Sequence, residues 1–265
     1  VGSEMCIRDS GNSLGDHFGV GHIFLAGEAP GLFYGYVTQG IVQKEDITEN
    51  GIKYIKQDGS VGYYQTVNKT TPVAGDVKYV DRNGDGVVDD NDRDIIGNPN
   101  PDFTYGFQTK VSWKSLSLSA SFNGVQGRDI LNVGNRYNNT PGTKSNNVTR
   151  KAFQNMWTDE NPSNLYPKST FVVQNMVMDR YVEDGSYLRC SDITLSYVLP
   201  AKWTNKIGIK NTSVYASVKN AFVITDYSGY DPEVNSFAFD GLRPGVDMNS
   251  YPTPRSFVFG LNLTF

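Results

Sequence analysis

No apolar run in this chain approaches the ~18 residues that a transmembrane helix needs. Cysteine is nearly absent: Cys6 and Cys190 stand so far apart that they define neither a disulfide framework nor a redox compartment. The two histidines, His17 and His22, share one short Gly-rich stretch. Without further ligands they suit surface residues better than a metal site. Positive charge has no excess, with 24 Lys and Arg against 28 Asp and Glu for a net charge of −4, which removes any electrostatic case for nucleic acid. A Ser nucleophile elbow, a Gly-rich phosphate loop and a Cys/His nucleophile arrangement are all missing. Asp and Glu occur in every loop, so no carboxylate pair stands out for glycoside hydrolysis. The chain is expected not to be an enzyme.

What is abundant is strand and turn material: Tyr 16, Phe 14 and Gly 27 in 265 residues. Mean hydropathy is −0.42. Alternating strands can still span a membrane at that value, because only one face of each meets lipid. The closing segment is the plainest case. Phe257, Phe259, Leu261, Leu263 and Phe265 alternate with small or polar residues such as Gly260, Asn262 and Thr264, and the segment is expected to be the last strand of an outer-membrane barrel. Phe103, Tyr105, Phe107, Val111 and Trp113 alternate in the same way. The two-residue connection Lys114-Ser115 leads to Leu116, Leu118, Ala120 and Phe122, which predicts a hairpin. Ile193, Leu195, Tyr197 and Leu199 form another strand, ended by Pro200. A strand near 212–223 follows, with Val214, Ala216, Val218 and Phe222 on one face. Lys110, Asp192 and Lys219 fall on the polar faces, expected to line a lumen.

The connections alternate in length. Those after Trp113 and Pro200 are short, while stretches 27–101, 127–180 and 225–253 are long and rich in Asn, Gly, Asp, Pro and Tyr. Short periplasmic turns with long extracellular loops are the outer-membrane pattern. The expected fold is therefore all-β, the C-terminal part of a large antiparallel transmembrane β-barrel. Residues 1–10 carry no period of any kind and resemble translated sequencing adaptor, so they and Cys6 are set aside. Residues 11–26 are expected to be a barrel-strand remnant, 27–101 a long extracellular loop, and 102–265 the C-terminal strands with their loops.

The strongest chemical motif lies in the first long loop. Asp81, Asn83 and Asp85 place side-chain oxygens at alternate positions; Gly86 permits a sharp turn; Val87 offers a carbonyl; Asp89 and Asp92 complete a calcium-loop spacing, with Asp at the final position in place of Glu. So many carboxylates folded together repel one another without a cation. The expected role is structural, stiffening an external loop, with no flanking helices of the calcium-sensor kind. Loop aromatics Tyr34, Tyr36, Trp157, Tyr166, Tyr227, Tyr230 and Phe237 are candidates for substrate contact, against the simpler expectation that they pack loops together.

Several segments, in order, carry a family resemblance. They are Phe33–Tyr36; Gly75–Tyr79 leading into Asp81–Asp92; Ile96-Gly-Asn-Pro-Asn-Pro-Asp-Phe-Thr-Tyr-Gly106; and Phe122–Gly127. Trp157–Tyr166, Val182–Arg189, Tyr227-Ser-Gly-Tyr-Asp-Pro-Glu233, Tyr251–Arg255 and the closing strand follow. Together they resemble the C-terminal part of a SusC/RagA-type TonB-dependent outer-membrane transporter of the Bacteroidetes. The resemblance implies an outer-membrane location, a barrel of about 22 strands with a plug, energy coupling through the TonB complex via a segment not in this sequence, a SusD-like surface lipoprotein partner, and oligosaccharide or peptide cargo. A secreted calcium-binding, glycan-binding β-domain is the alternative from another class; it would turn its apolar strand faces inward against a second sheet.

Overall fold

The computed structural model describes residues 12–17, 20–140, 147–169, 176–204 and 211–264. The adaptor-like residues 1–10 and the terminal Phe265 lie outside them. The chain divides into two compact units, the described parts of residues 1–100, 129–183 and 234–250 in one, and of 101–128, 184–233 and 251–265 in the other.

The second unit is a five-stranded sheet of β1 (Phe103–Trp113), β2 (Leu116–Gln126), β3 (Tyr187–Val198), β4 (Asn211–Thr225) and β5 (Ser256–Thr264). The strands are antiparallel and paired in chain order. The expected hairpin forms: Trp113 pairs with Leu116, and Lys114 takes φ 53, the left-handed conformation that a two-residue hairpin loop favours.

Register shows why these residues fold together. One row across all the strands reads Val111, Leu118, Leu195, Ala216, Phe259, and the next reads Trp113, Leu116, Tyr197, Val214, Leu261. The row between them on the other face is Ser112, Ser117, Ser196, Tyr215, Gly260, followed by Lys110, Ser119, Thr194, Ser217, Val258. Alternation within each strand thus becomes a continuous apolar face and a largely hydroxylic one. The apolar face is open: Val111 is 64% exposed, Trp113 68% and Phe259 78%. A contiguous exposed apolar surface of this extent marks contact with lipid or protein.

A bulge interrupts the ladder where Cys190 pairs with Phe222 but Asp192 pairs with Lys219, leaving one more residue on β4 than on β3. Asn220 absorbs it at φ 51. Beyond the bulge the apolar face of β3 passes from Ile193, Leu195 and Tyr197 to Cys190 and Leu188. Cys190 lies in register between Phe122 and Phe222, whose rings come within 6.4 Å, and Phe107 stacks on Phe122 at 4.6 Å. A small side chain there lets the large rings meet over it.

Gly260 is opposite Tyr215, and a Cβ on it would fall 2.2 Å from the Tyr215 ring. The ring covers the glycine as aromatic residues cover glycines in other sheets. In the full-length protein Gly260→Val is expected to cost about 1–3 kcal/mol through overpacking, read as a lowered denaturation midpoint, with Tyr215→Ala restoring most of the loss. A midpoint unchanged by Gly260→Val would refute the packing.

The first unit departs from expectation. The stretches 27–101, 127–180 and 225–253 are not open loops: most of their described residues fold together as one body with its own core. The stretch expected as a barrel-strand remnant forms Asn12–His17 and Val20–Phe24, paired in a separate four-stranded sheet with Leu32–Gly35 and Asp94–Gly97. A three-stranded sheet joins Ile47–Thr48, Gly51–Ile55 and Val61–Tyr64. The core gathers Phe33, Tyr36, Tyr54, Tyr64 and Tyr79 from one connection, Leu131, Met178 and Tyr181 from the next, and Val246 from the last. Buried tyrosines are tolerated because their hydroxyls find partners: Tyr54 donates to the Asp81 carbonyl at 2.6 Å, and the Tyr64 hydroxyl accepts from the Tyr79 N–H at 3.2 Å. His22, expected at the surface, is fully buried; its Nε2 meets the Pro244 carbonyl at 3.1 Å and its ring lies against Phe33 at 5.3 Å. Burial lowers its pKa and keeps it neutral, a core histidine rather than a ligand.

Candidate functional site

The acidic loop runs between two strands, Val77–Tyr79 and Asp94–Gly97, with no helix on either side. Gly84 and Gly86 take φ 76 and φ 86, turning the chain where side chains would be strained. Val87–Val88 pairs in parallel with Thr66–Val67, and the buried Tyr54 hydroxyl pins the carbonyl of Asp81. Burial, and then the charges of Asp81 and Asp92, push the Tyr54 pKa up to about 12, so it remains a donor at neutral pH.

The carboxylates cap the loop's own backbone. Asp81 accepts from Gly84 N at 2.7 Å and Gly86 N at 2.9 Å. Asp92 accepts from Arg82 N at 2.7 Å, Asn83 N at 3.2 Å and Asp89 N at 2.8 Å. Asp85 accepts from Val87 N at 2.8 Å and from Asn83 Nδ2 at 2.9 Å, and Asp89 accepts from Asn91 N at 2.8 Å, opening the short 3₁₀ turn Asp90–Asp92. The structure therefore brings all six expected ligand residues into one loop. Among the described residues, however, no three acidic, His or Cys side chains converge as a preformed metal cage.

The donor set still suits a hard cation. Asp81 and Asp92 are 2% and 0% exposed, and no described ion pair reaches Asp81, Asp85, Asp89 or Asp92, because Arg82 is taken by Asp94 and Arg93 by Asp90. Burial raises the Asp81 pKa despite its backbone N–H partners, and the Asp92 and Asp85 charges push the same way. Asp92 Oδ1 already accepts from both Arg82 N and Asn83 N, whereas Asp92 Oδ2 and the two Asp81 oxygens keep a further lone pair for a metal.

The seven loop aromatics do not form one surface. Tyr36, Trp157 and Tyr227 are buried, and Phe237 packs against the core of the first unit. Trp157 Nε1 donates to Gln43 Oε1 at 3.0 Å and Tyr36 donates to Asp90 Oδ1 at 3.1 Å, so these rings hold connections together instead of presenting faces to a ligand. Tyr34 and Tyr166 are half-buried, and Tyr230 alone of the seven is openly exposed, at 70%.

One constellation escapes a reading of the sequence. On the polar face of the five-stranded sheet, Arg189 is 5% exposed and its Nη2 meets Asp231 Oδ1 at 2.5 Å. Its Nε stands 3.2 Å from Glu233 Oε2, an ion-pair contact without hydrogen-bond geometry. Glu233 also accepts from the Tyr187 hydroxyl at 2.6 Å and from Asn123 Nδ2 at 3.0 Å. Burial alone would raise the Asp231 pKa. The N–H groups of Glu233 and Thr253, and the Arg189 charge, outweigh it and hold the pKa below the usual carboxylate value. The cluster fastens the Asp231-Pro-Glu233 segment to the sheet.

No protein-family model matches the chain. TonB-dependent receptor P26 of Formosa agariphila is 35% identical over 201 residues, covering 73% of this chain and 20% of that receptor. The receptor SusC of Bacteroides thetaiotaomicron is 34% identical over 194 residues, covering 71% of this chain and 17% of SusC. The chain belongs to the SusC/RagA-type TonB-dependent receptors. It also superposes on the RagAB peptide importer in its closed-closed state with TM-score 0.65, at 25% identity over 95% of this chain and 24% of that one. For the open-open state the TM-score is 0.62, at 25% identity over 92% of this chain and 23% of that one. The chain spans between 17% and 26% of the length of the curated receptors it matches. Receptors of this family are outer-membrane proteins, and the relatives are named as receptors, not enzymes. The five-stranded sheet is accordingly a sector of a transmembrane barrel, whose end strands β1 and β5 each have one neighbour among the described strands.

Proposed function

We propose that the receptor containing this chain imports a large polar nutrient, an oligosaccharide or a peptide, across the outer membrane. Import is powered through TonB by a part of the protein outside this sequence, and a SusD-like lipoprotein sits on the extracellular connections. The observation that carries the reading is the apolar register that runs across the five strands in a chain 35% identical to a TonB-dependent receptor. A soluble glycan-binding β-domain would cover that face, whereas Trp113 and Phe259 leave it open. Peptide cargo is favoured by likeness to the RagAB importer, and exposed Tyr230 is the candidate among the loop aromatics for touching cargo. Deleting the gene should abolish growth on one class of oligomer, sugar or peptide, and the receptor extracted from outer membranes should carry a lipoprotein with it. Hydrolysis of that oligomer by the purified receptor alone would overturn the reading.

In the same protein, Asp81, Asn83, Asp85, Asp89 and Asp92, with the Val87 carbonyl, bind calcium on the extracellular side. The cation neutralises the buried Asp81 and Asp92 and stiffens the loop. Ligand binding stabilises only the state that binds it, so the effect is local. Cleavage within residues 76–97 should speed up in chelator and slow again when calcium, but not magnesium, is restored. Identical cleavage with and without calcium would remove the site.

A further inference from the structure

Asn-Gly occurs three times in this chain, at Asn50-Gly51, Asn83-Gly84 and Asn123-Gly124, and the structure places the pairs in three different environments. We propose that Asn50 is a site of spontaneous deamidation in the folded receptor, and that the other two are protected by the fold. Asn50 is the second residue of the two-residue turn between Ile47–Thr48 and Gly51–Ile55, where Thr48 pairs with Gly51. It is exposed, and its backbone N–H donates to Thr48 Oγ1 at 3.3 Å. Its carboxamide makes no hydrogen bond among the described residues. Gly51 has φ 118 and no side chain to shield its nitrogen from the Asn50 carboxamide.

The other pairs are tied. Asn83 Oδ1 accepts from Asp85 N at 2.9 Å, its Nδ2 donates to Asp85 Oδ2 at 2.9 Å, and the Gly84 nitrogen donates to Asp81 at 2.7 Å. Asn123 lies inside β2, with Nδ2 bound to Glu233 at 3.0 Å and Gly124 paired with Tyr105. Gly51 is paired with Thr48 as Gly124 is with Tyr105, so the difference lies in the side chains: Asn83 and Asn123 must first free a hydrogen-bonded carboxamide, and Asn50 need not.

The chemistry needs only water. The Gly51 nitrogen attacks Cγ of Asn50; the N–Cγ bond forms, the Cγ–Nδ2 bond breaks, and the amide proton leaves with the departing nitrogen as ammonia. Water then opens the succinimide at either carbonyl, giving Asp or isoAsp. The product carries a new carboxylate beside Glu49. IsoAsp also lengthens the main chain by one carbon in a turn where Gly51 is wedged against the Tyr64 carbonyl, 2.4 Å from where a Cβ would stand.

Trypsin separates the three sites cleanly, into Glu45–Lys53, Asn83–Arg93 and Ser115–Arg128. The full-length receptor in detergent is held at mildly alkaline pH, folded or unfolded in urea, and the peptides are followed by mass and by enzymatic methylation of isoAsp. Unfolded, all three asparagines should react at comparable rates. Folded, Asn50 should keep most of its unfolded rate while Asn83 and Asn123 slow by about tenfold or more, the factor that one net hydrogen bond supplies. Equal rates at the three sites in the folded receptor, or an Asn50 as slow as Asn123, would overturn the proposal.

Discussion

Arginine at Leu118 is expected to block assembly of the full-length receptor, whereas arginine at the neighbouring Ser119 is expected to be tolerated. Leu118 sits in the apolar row with Val111, Leu195, Ala216 and Phe259; Ser119 sits in the polar row with Lys110, Thr194 and Ser217. A charge on the lipid face costs ~2–4 kcal/mol at mid-membrane and less toward the turn at Lys114-Ser115, near which Leu118 lies, and one facing the lumen costs little. The check is the fraction of each variant that reaches the outer membrane as a folded, heat-modifiable barrel, followed by its urea midpoint in lipid vesicles. Equal damage from the two substitutions would show that the faces are wrongly assigned.

The second large effect belongs to Arg189. Arg189→Met removes the cation from between Asp231 and Glu233 and leaves two carboxylates facing one another, Asp231 almost wholly buried. Breaking a buried pair from one side costs roughly 3–5 kcal/mol. The expected signs are release of the Asp231-Pro-Glu233 segment to protease and a lowered midpoint. A triple variant that adds Asp231→Asn and Glu233→Gln should recover much of the loss, since no charge is then stranded. A triple variant no better than Arg189→Met would show that the segment is held by packing instead. The pH dependence has a definite sign. Because the Asp231 pKa is held below the usual carboxylate value, its contribution is complete above the ordinary carboxylate range and is lost as pH falls through the lowered value.

The membrane strands were legible because period-two alternation survives in any strand with one greasy and one wet face, as in β1, β2 and β5. β3 was legible only from Asp192 onward. The bulge shifts the apolar side from Ile193 to Cys190, so Leu188 and Cys190 alternate out of phase with Ile193, Leu195 and Tyr197. The acidic loop was legible as a spacing, since its residues are local in sequence. How its oxygens are spent on backbone N–H groups was not, because that depends on φ and ψ at Gly84 and Gly86. The first unit was missed as a folded body. Its strands run six residues or fewer, and its buried tyrosines look like surface aromatics until their hydroxyl partners are known. Arg189 gave no local sign, because its partners lie more than 40 residues away.

The shared core of the first unit bears on how such receptors diversify and how they can be redesigned. Phe33 and Tyr64, Leu131 and Met178, and Val246 come from three separate connections yet fill one interior. Transplanting a single connection from a relative would leave the apolar sides of the other two without their partners. Recombination that preserves folding must therefore exchange the three segments together, and chimaeras cut at 100, 129, 183, 234 and 250 are the natural units of such swaps.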